Sequence, residues 1–288
     1  MSVSNQARRR GKMLDEIMAY HREQLPKVMR EVPMATVQAL AITAPSPLDL
    51  YAALKAPGVS LIAECKKASP SQGLLLRHYD PAALARTYVE GGAAAISVLT
   101  DARHFQGDMA HLRDVKETLT AEAGLLLKGK DPRRAWGIPV LRKDFIFHPY
   151  HVYEARAAGA DALLLIAAVL APNLLRELLA LTRSLGMEAL VEVHSEAELA
   201  WVLAAQPRVV GINNRNLQTF EVDFGNTARL RPLIPPEIAV VGESGIKSAE
   251  DIRALRVLGL DAVLVGETLV RSHDPLRLAQ SLVAAGRA

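Results

Sequence analysis

From residue 60 onward, short β-branched or apolar runs alternate with longer stretches whose apolar positions recur at helical spacing. That rhythm predicts a parallel sheet built from βα units. Eight runs can be counted: Ser60 to Glu64, Ala94 to Leu99, Ile138 to Arg142, Asp161 to Ile166, Glu188 to Val193, Arg208 to Asn213, Ile238 to Gly242, and Asp261 to Gly266. Eight is the number that closes a (β/α)8 barrel, so the predicted class is an α/β TIM barrel. An open doubly wound sheet would carry a glycine-rich phosphate loop after its first strand, and none stands there.

The stretches between the runs are punctuated as helices. Ser195 with Glu198 reads as a capping box, and Ser248 with Asp251 as a comparable acidic first turn. Asp274 and Pro275 open the last helix, because proline is tolerated where the first N–H has no partner. Gly159, Gly186 and Gly259 fall where helices should stop. Leu174, Leu175, Leu178, Leu181 and Leu185 form one apolar stripe aimed at the sheet. Ahead of the barrel two helical pieces are expected: Lys12 to Leu25, ended by Pro26, and Ser46 to Leu54, opened by Ser46 and Pro47. The chain therefore divides into an N-terminal helical extension packed on the barrel, 1–59, and a catalytic barrel, 60–288. The connection into the third strand is the longest, and Thr118 to Gly137 reads as an insertion.

Composition narrows this picture. With 288 residues, half of them apolar, the chain can bury one large core. A single cysteine, Cys65, excludes a disulfide framework and a cysteine-rich metal site, which makes a cytoplasmic address the simplest. No run nears the roughly 18 apolar residues of a membrane span, and the start lacks an apolar signal region. The net charge of +3 owes much to Arg8, Arg9 and Arg10, and aromatics make up only 5% of the chain. That balance points away from nucleic acid and toward an anionic small-molecule substrate.

Several apparent motifs fail on spacing. Gly124 to Lys130 imitates a P-loop, but Asp131 stands where Ser or Thr should hold magnesium. Gly242 to Gly245 is one residue too short for a nucleophile elbow. His104, His111, His148, His151 and His194 are dispersed, so no metal site is expected.

Parallel barrels place their active sites at the carboxyl ends of the strands. Those positions here are rich in charge: Glu64, Lys66, Arg142, Lys143, Asp144, Glu192, Asn213, Arg215 and Glu243. Because side chains alternate along a strand, Glu64 pairs with Lys66, Lys143 with Phe145, and Asn213 with Arg215 on shared faces. Cys65 and Asp144 then face the helices. Lysines and glutamates crowded beside an apolar core must be paired or shifted in pKa, which suits them to proton transfer. Ser244-Gly245 after the seventh strand and Gly266-Glu267 after the eighth occupy loops that hold phosphate in many barrels. At Glu267 only the backbone N–H suits an anion.

These residues sit in segments that resemble the indole-3-glycerol phosphate synthase family, from about residue 46 to 280. They are IAECKKASPSQG (62–73), ISVLTDARHFQGD (96–108), PVLRKDFIFHPYHVYEARAAGADALLLIAAVL (139–170), LVEVHSEAEL (190–199), GINNRNLQTFEVD (211–223) and GESGIKSAEDI (242–252). The resemblance implies a lyase of tryptophan biosynthesis. Its reaction closes the indole ring of 1-(2-carboxyphenylamino)-1-deoxyribulose 5-phosphate, with loss of carbon dioxide and water. It implies no metal or organic cofactor, and it says nothing of partners among other pathway enzymes. Residue by residue, Lys143 resembles the general acid at the ribulose carbonyl, and Lys66 a neighbour that contacts the anionic substrate. Which of the two gives the first proton stays open. Glu192 resembles the acid–base group of dehydration, with Glu64 and Asn213 as orienting partners and Arg215 on the substrate carboxylate. Phe105 and Phe145 resemble the clamp on the aryl ring. Ser69, Ser244, Gly245, Gly266 and Glu267 match binding-loop positions. Two rivals remain: an isomerase acting on another phosphosugar, which shares the phosphate loops, and a catalytically silent barrel.

Overall fold

A computed structural model describes residues 3–70, 72–126, 137–215 and 222–287. Eight parallel strands close into a barrel. They are β1 (Ser60–Cys65), β2 (Ala95–Leu99), β3 (Val140–Lys143), β4 (Ala162–Ile166), β5 (Glu188–Val193), β6 (Val209–Asn213), β7 (Ala239–Glu243) and β8 (Ala262–Val265). Each strand pairs with its sequence neighbours, and β1 closes the ring between β8 and β2, with Ser60 opposite Ala262 and Ile62 opposite Ala95. All eight coincide with the runs read from the sequence.

Alternation splits the core into two shells. Leu61, Ala63, Val140, Val191, Ile212, Val240 and Val263 point outward and pack beneath the helices. Ile62, Leu141, Leu164, Leu190, Val209, Val241 and Leu264 point inward. The floor of the barrel is plugged by Leu50 and Leu54. They belong to α3 (Leu50–Leu54), which follows α1 (Val3–Glu31) and α2 (Met34–Thr43).

The N-terminal helices differ from expectation. Pro26 lies inside α1 rather than at its end. Proline removes one hydrogen bond and crowds the preceding turn. Pro26 and Arg22 both face solvent, so water can serve the carbonyl of Arg22 that lost its donor. α2, which the sequence did not advertise, buries Val37 and Ala41 while Leu40 and Ile42 stay exposed. α3 is capped by Asp49, whose carboxylate accepts the N–H of Ala52 at 3.0 Å, and not by Ser46. Residues 118–121, assigned to the insertion by sequence, complete a barrel helix, Met109–Ala121, with Leu119 buried in the core. Residues 127–136 lie outside the described residues, and the P-loop imitation falls largely with them.

Most of the remaining punctuation is as read. Ser248 and Asp251 form a reciprocal capping box. Ser195 accepts from the N–H of Glu198, but the Glu198 carboxylate reaches past it to the N–H of His194 at 2.6 Å. Gly159, Gly186 and Gly259 adopt positive φ after their helices. The leucine stripe is centred slightly differently, on Leu175, Leu178 and Leu179, with Thr182 buried beside them.

Two aspartates tie neighbouring strands together at the amino end of the barrel. Asp161 accepts the N–H of Val140 at 2.7 Å and of Leu48 at 2.8 Å, and pairs with Lys116 at 2.7 Å. Asp261 repeats the device, accepting the N–H of Val240 at 2.8 Å and pairing with Lys55 at 2.8 Å. Asp161→Ala would leave a lysine and two backbone donors uncompensated, and is expected to cost about 3 kcal/mol. Urea unfolding would read this loss, while turnover per folded molecule stays unchanged.

Candidate active site

The inward shell ends, at the carboxyl edge of the barrel, in a polar layer. Two residues beyond Ile62, Leu141, Leu190 and Val241 come Glu64, Lys143, Glu192 and Glu243, so each apolar inward position hands over to a charged one. Asn213 ends β6 on the same face. One cavity opens on this layer. Its lining includes Glu64, Lys66, Ser69, Phe105, Lys143, Phe145, Glu192, Asn213, Arg215, Ser244, Gly245, Gly266 and Glu267, every site residue that the sequence singled out.

Lys143 sits at the centre. Its Nζ donates to Glu243 Oε2 at 3.1 Å and lies 3.8 Å from Glu64 and 3.9 Å from Glu192. Lys66 pairs with Glu64 at 2.7 Å. Burial disfavours the ammonium of Lys143, but Glu243, Glu64 and Glu192 outweigh it and raise its pKa. Burial likewise works against ionised Glu64, and the two lysines overcome it and lower its pKa. The group has one more carboxylate than it has lysines. Glu243 absorbs the imbalance: burial pushes its pKa up to about 7, against the pull of Lys143. A proton near neutrality is therefore held on this rim.

Glu243 is the residue that the sequence placed among the charged strand ends without giving it a role in the site. The signal was present, since Ala239, Val241 and Glu243 share one face of β7, and the first two are inward. Gly211, on neighbouring β6, makes the room: a Cβ there would collide with the Glu243 carboxylate. Gly266 plays the same part for Glu64, whose carboxylate fills the space of a side chain at 266.

The rest of the layer is held from behind. Asn213 Nδ2 donates to Glu192 Oε1 at 3.2 Å, and Asn213 Oδ1 accepts the N–H of Arg215 at 3.0 Å. His194 lies between two carboxylates, with its ring nitrogens 3.3 Å from Glu192 and 3.5 Å from Glu198, off the line of a hydrogen bond. Burial opposes its charge, yet Glu198, Glu192 and Glu243 together raise its pKa. Outside the barrel, Arg142 pairs with Asp144 at 2.9 Å and Glu154 at 2.8 Å, fixing the end of β3 behind Lys143. Cys65 also faces outward, and burial raises its thiol pKa, leaving it inert at neutral pH.

The loops over the mouth complete the cavity. Ser244 and Gly245 both have positive φ, at 66° and 83°, and Thr268 Oγ1 donates to the carbonyl of Ile246 at 2.7 Å, tying the two loops together. The Glu267 carboxylate pairs with Arg271 at 3.3 Å. The rings of Phe105 and Phe145 stand 6.5 Å apart. Met13, Leu14 and Ile17 of α1 also reach the cavity, a contribution that no local signal in the N-terminal sequence announced.

Fold and rim define a parallel-barrel enzyme with ionisable lysines and glutamates around one cavity. The family model described as indole-3-glycerol phosphate synthase matches residues 14–282, and the chain belongs to that family. Proteins named indole-3-glycerol phosphate synthase are similar over almost the whole chain. One from Dehalococcoides mccartyi is 46% identical over 263 residues, covering 91% of this chain and 96% of its own length. One from Roseiflexus is 47% identical over 265 residues, covering 91% and 94%. One from Mycobacteroides abscessus is 45% identical over 276 residues, covering 96% and 95%. Among solved structures, 3-hexulose-6-phosphate synthase from Salmonella typhimurium superposes with a TM-score of 0.60 at 12% identity, covering 79% of this chain and 98% of its own. Thiamine phosphate pyrophosphorylase from Pyrococcus furiosus gives 0.59 at 14%, covering 82% and 97%. These two share the fold. No helix among the described residues is long and apolar enough to cross a membrane.

Proposed function

We propose that the rim closes the indole ring of 1-(2-carboxyphenylamino)-1-deoxyribulose 5-phosphate, releasing carbon dioxide and water to give indole-3-glycerol phosphate. The observation that carries this reading is Lys143 held among Glu64, Glu192 and Glu243, with Lys66 beside them. Ring closure needs an acid at the ribulose carbonyl as the aryl carbon attacks. Lys143 supplies it. An ammonium of raised pKa is no handicap, because the alkoxide that forms is more basic than an amine. Lys66 and Arg215 hold the substrate carboxylate until it departs, Phe105 and Phe145 clamp the ring, and the enclosed apolar wall favours decarboxylation by stripping water from the carboxylate. Glu192, oriented by Asn213 and His194, moves the protons of dehydration. Glu243 holds Lys143 before substrate arrives and yields it to the carbonyl. The loops at Ser244-Gly245 and Gly266-Glu267, with Ser69, receive the phosphate.

The same proposal includes a cytoplasmic address, an extension at 1–59 serving a barrel at 60–288, and independence from nucleic acid and membranes. Purified protein is expected to form indole-3-glycerol phosphate from the carboxyphenylamino-deoxyribulose phosphate with no metal added, followed by indole fluorescence. A folded sample without turnover would overturn the reading.

A further inference from the structure

We propose that His21, Asp101 and His104 form a binding site for one divalent transition-metal ion of the zinc class, which clips helix α1 to the barrel mouth. His21 comes from α1, His104 from the short helix Ala102–Phe105 after β2 and Asp101 from the N-cap of that helix, and His21 is 80 residues from Asp101. One ligand atom from each lies within 4.8 Å of the other two. His21 Nε2 is 2.6 Å and His104 Nδ1 3.1 Å from the same oxygen, Asp101 Oδ2. Two imidazoles thus compete for one carboxylate oxygen, and a single dication would satisfy all three atoms.

The ligand set selects the metal. Two histidines and one carboxylate, with a position left for water, suit zinc, whereas magnesium and calcium take oxygen ligands. The carboxylate is already oriented. Its Oδ1 accepts the N–H groups of His104 at 2.5 Å and Phe105 at 3.1 Å, which leaves Oδ2 turned toward the histidines. Outer bonds of this kind fix a metal ligand in place. Asp101 is buried, while His21 and His104 keep enough exposure for an ion to reach them.

The consequence is mechanical. His21 follows Ile17 by one turn on the helix that lines the cavity, and His104 precedes Phe105, which lines it too. Arg103 stacked at 4.5 Å over the Tyr20 ring already joins the same two helices. A metal ion would add a coordinate link there, holding α1 over the mouth. It takes no part in ring closure, so this proposal and the ring-closing one can fail separately.

The test uses the full chain, stripped with chelator and titrated with Zn²⁺ in calorimetry, with hydrogen exchange of α1 measured with and without the ion. One saturable equivalent is expected. His21→Ala and His104→Ala should each weaken it by about tenfold or more, while the exposed His273→Ala leaves it unchanged. Zinc should slow exchange around His21 in the parent protein and not in His104→Ala. Circular dichroism would verify that both variants fold, and Asp101 is left intact because it caps its helix. Absence of saturable binding, or binding indifferent to both histidines, overturns the site; binding without slowed exchange overturns the clip.

Discussion

Lys143→Ala is expected to lower kcat by about 10² to 10⁴-fold, the range for losing a positioned general acid, with KM changed far less. The reason is geometric. Lys143 rises from β3 into the centre of the rim, with its Nζ within 4 Å of three carboxylates and its stem enclosed by the barrel. Among the described residues no other cation holds that position, since Lys66 is drawn aside to Glu64 at 2.7 Å. Loss of the ammonium leaves three carboxylates facing one lysine, and Glu243, with a pKa of about 7, can take up a proton to relieve them. The variant should therefore remain folded, which thermal unfolding would verify before kinetics are compared. An effect on KM alone would make Lys143 a binding residue and pass the first proton to Lys66.

The division between what the sequence disclosed and what it withheld follows from the range of the interactions. Strand alternation is a local rule, and it was enough to send Glu64, Lys143 and Asn213 inward and Cys65 and Asp144 outward. Applied once more, it would have caught Glu243. Helix starts and stops were legible where a side chain caps its own turn, as at Ser248 and Asp274. They failed in the N-terminal region, where tertiary packing overrides local signals. Pro26 persists inside α1 because its face is wet, and α2 forms although its apolar residues show no clean stripe, docking Val37 near Tyr150. The meeting of α1 with the cavity, and of His21 with Asp101, depends on contacts far apart in the chain. No spacing within either segment encodes it.

Glu192→Gln should separate the steps of the reaction. If Glu192 serves dehydration, the variant will still close the ring and release carbon dioxide, while formation of the aromatic indole slows by about 10² to 10³-fold. In a single turnover, labelled carbon dioxide would then appear well before indole fluorescence, whereas the parent protein should show the two together. Glutamine preserves the shape, and its amide oxygen can still accept from Asn213 Nδ2, now 3.2 Å from Glu192 Oε1. What it removes is the exchangeable proton and the charge that faces Lys143 at 3.9 Å and His194 at 3.3 Å. The second loss is the smaller, because Glu243 and Glu64 still flank Lys143. Simultaneous slowing of both products would place Glu192 in ring closure instead, and leave the dehydration proton to Lys66 or Glu64.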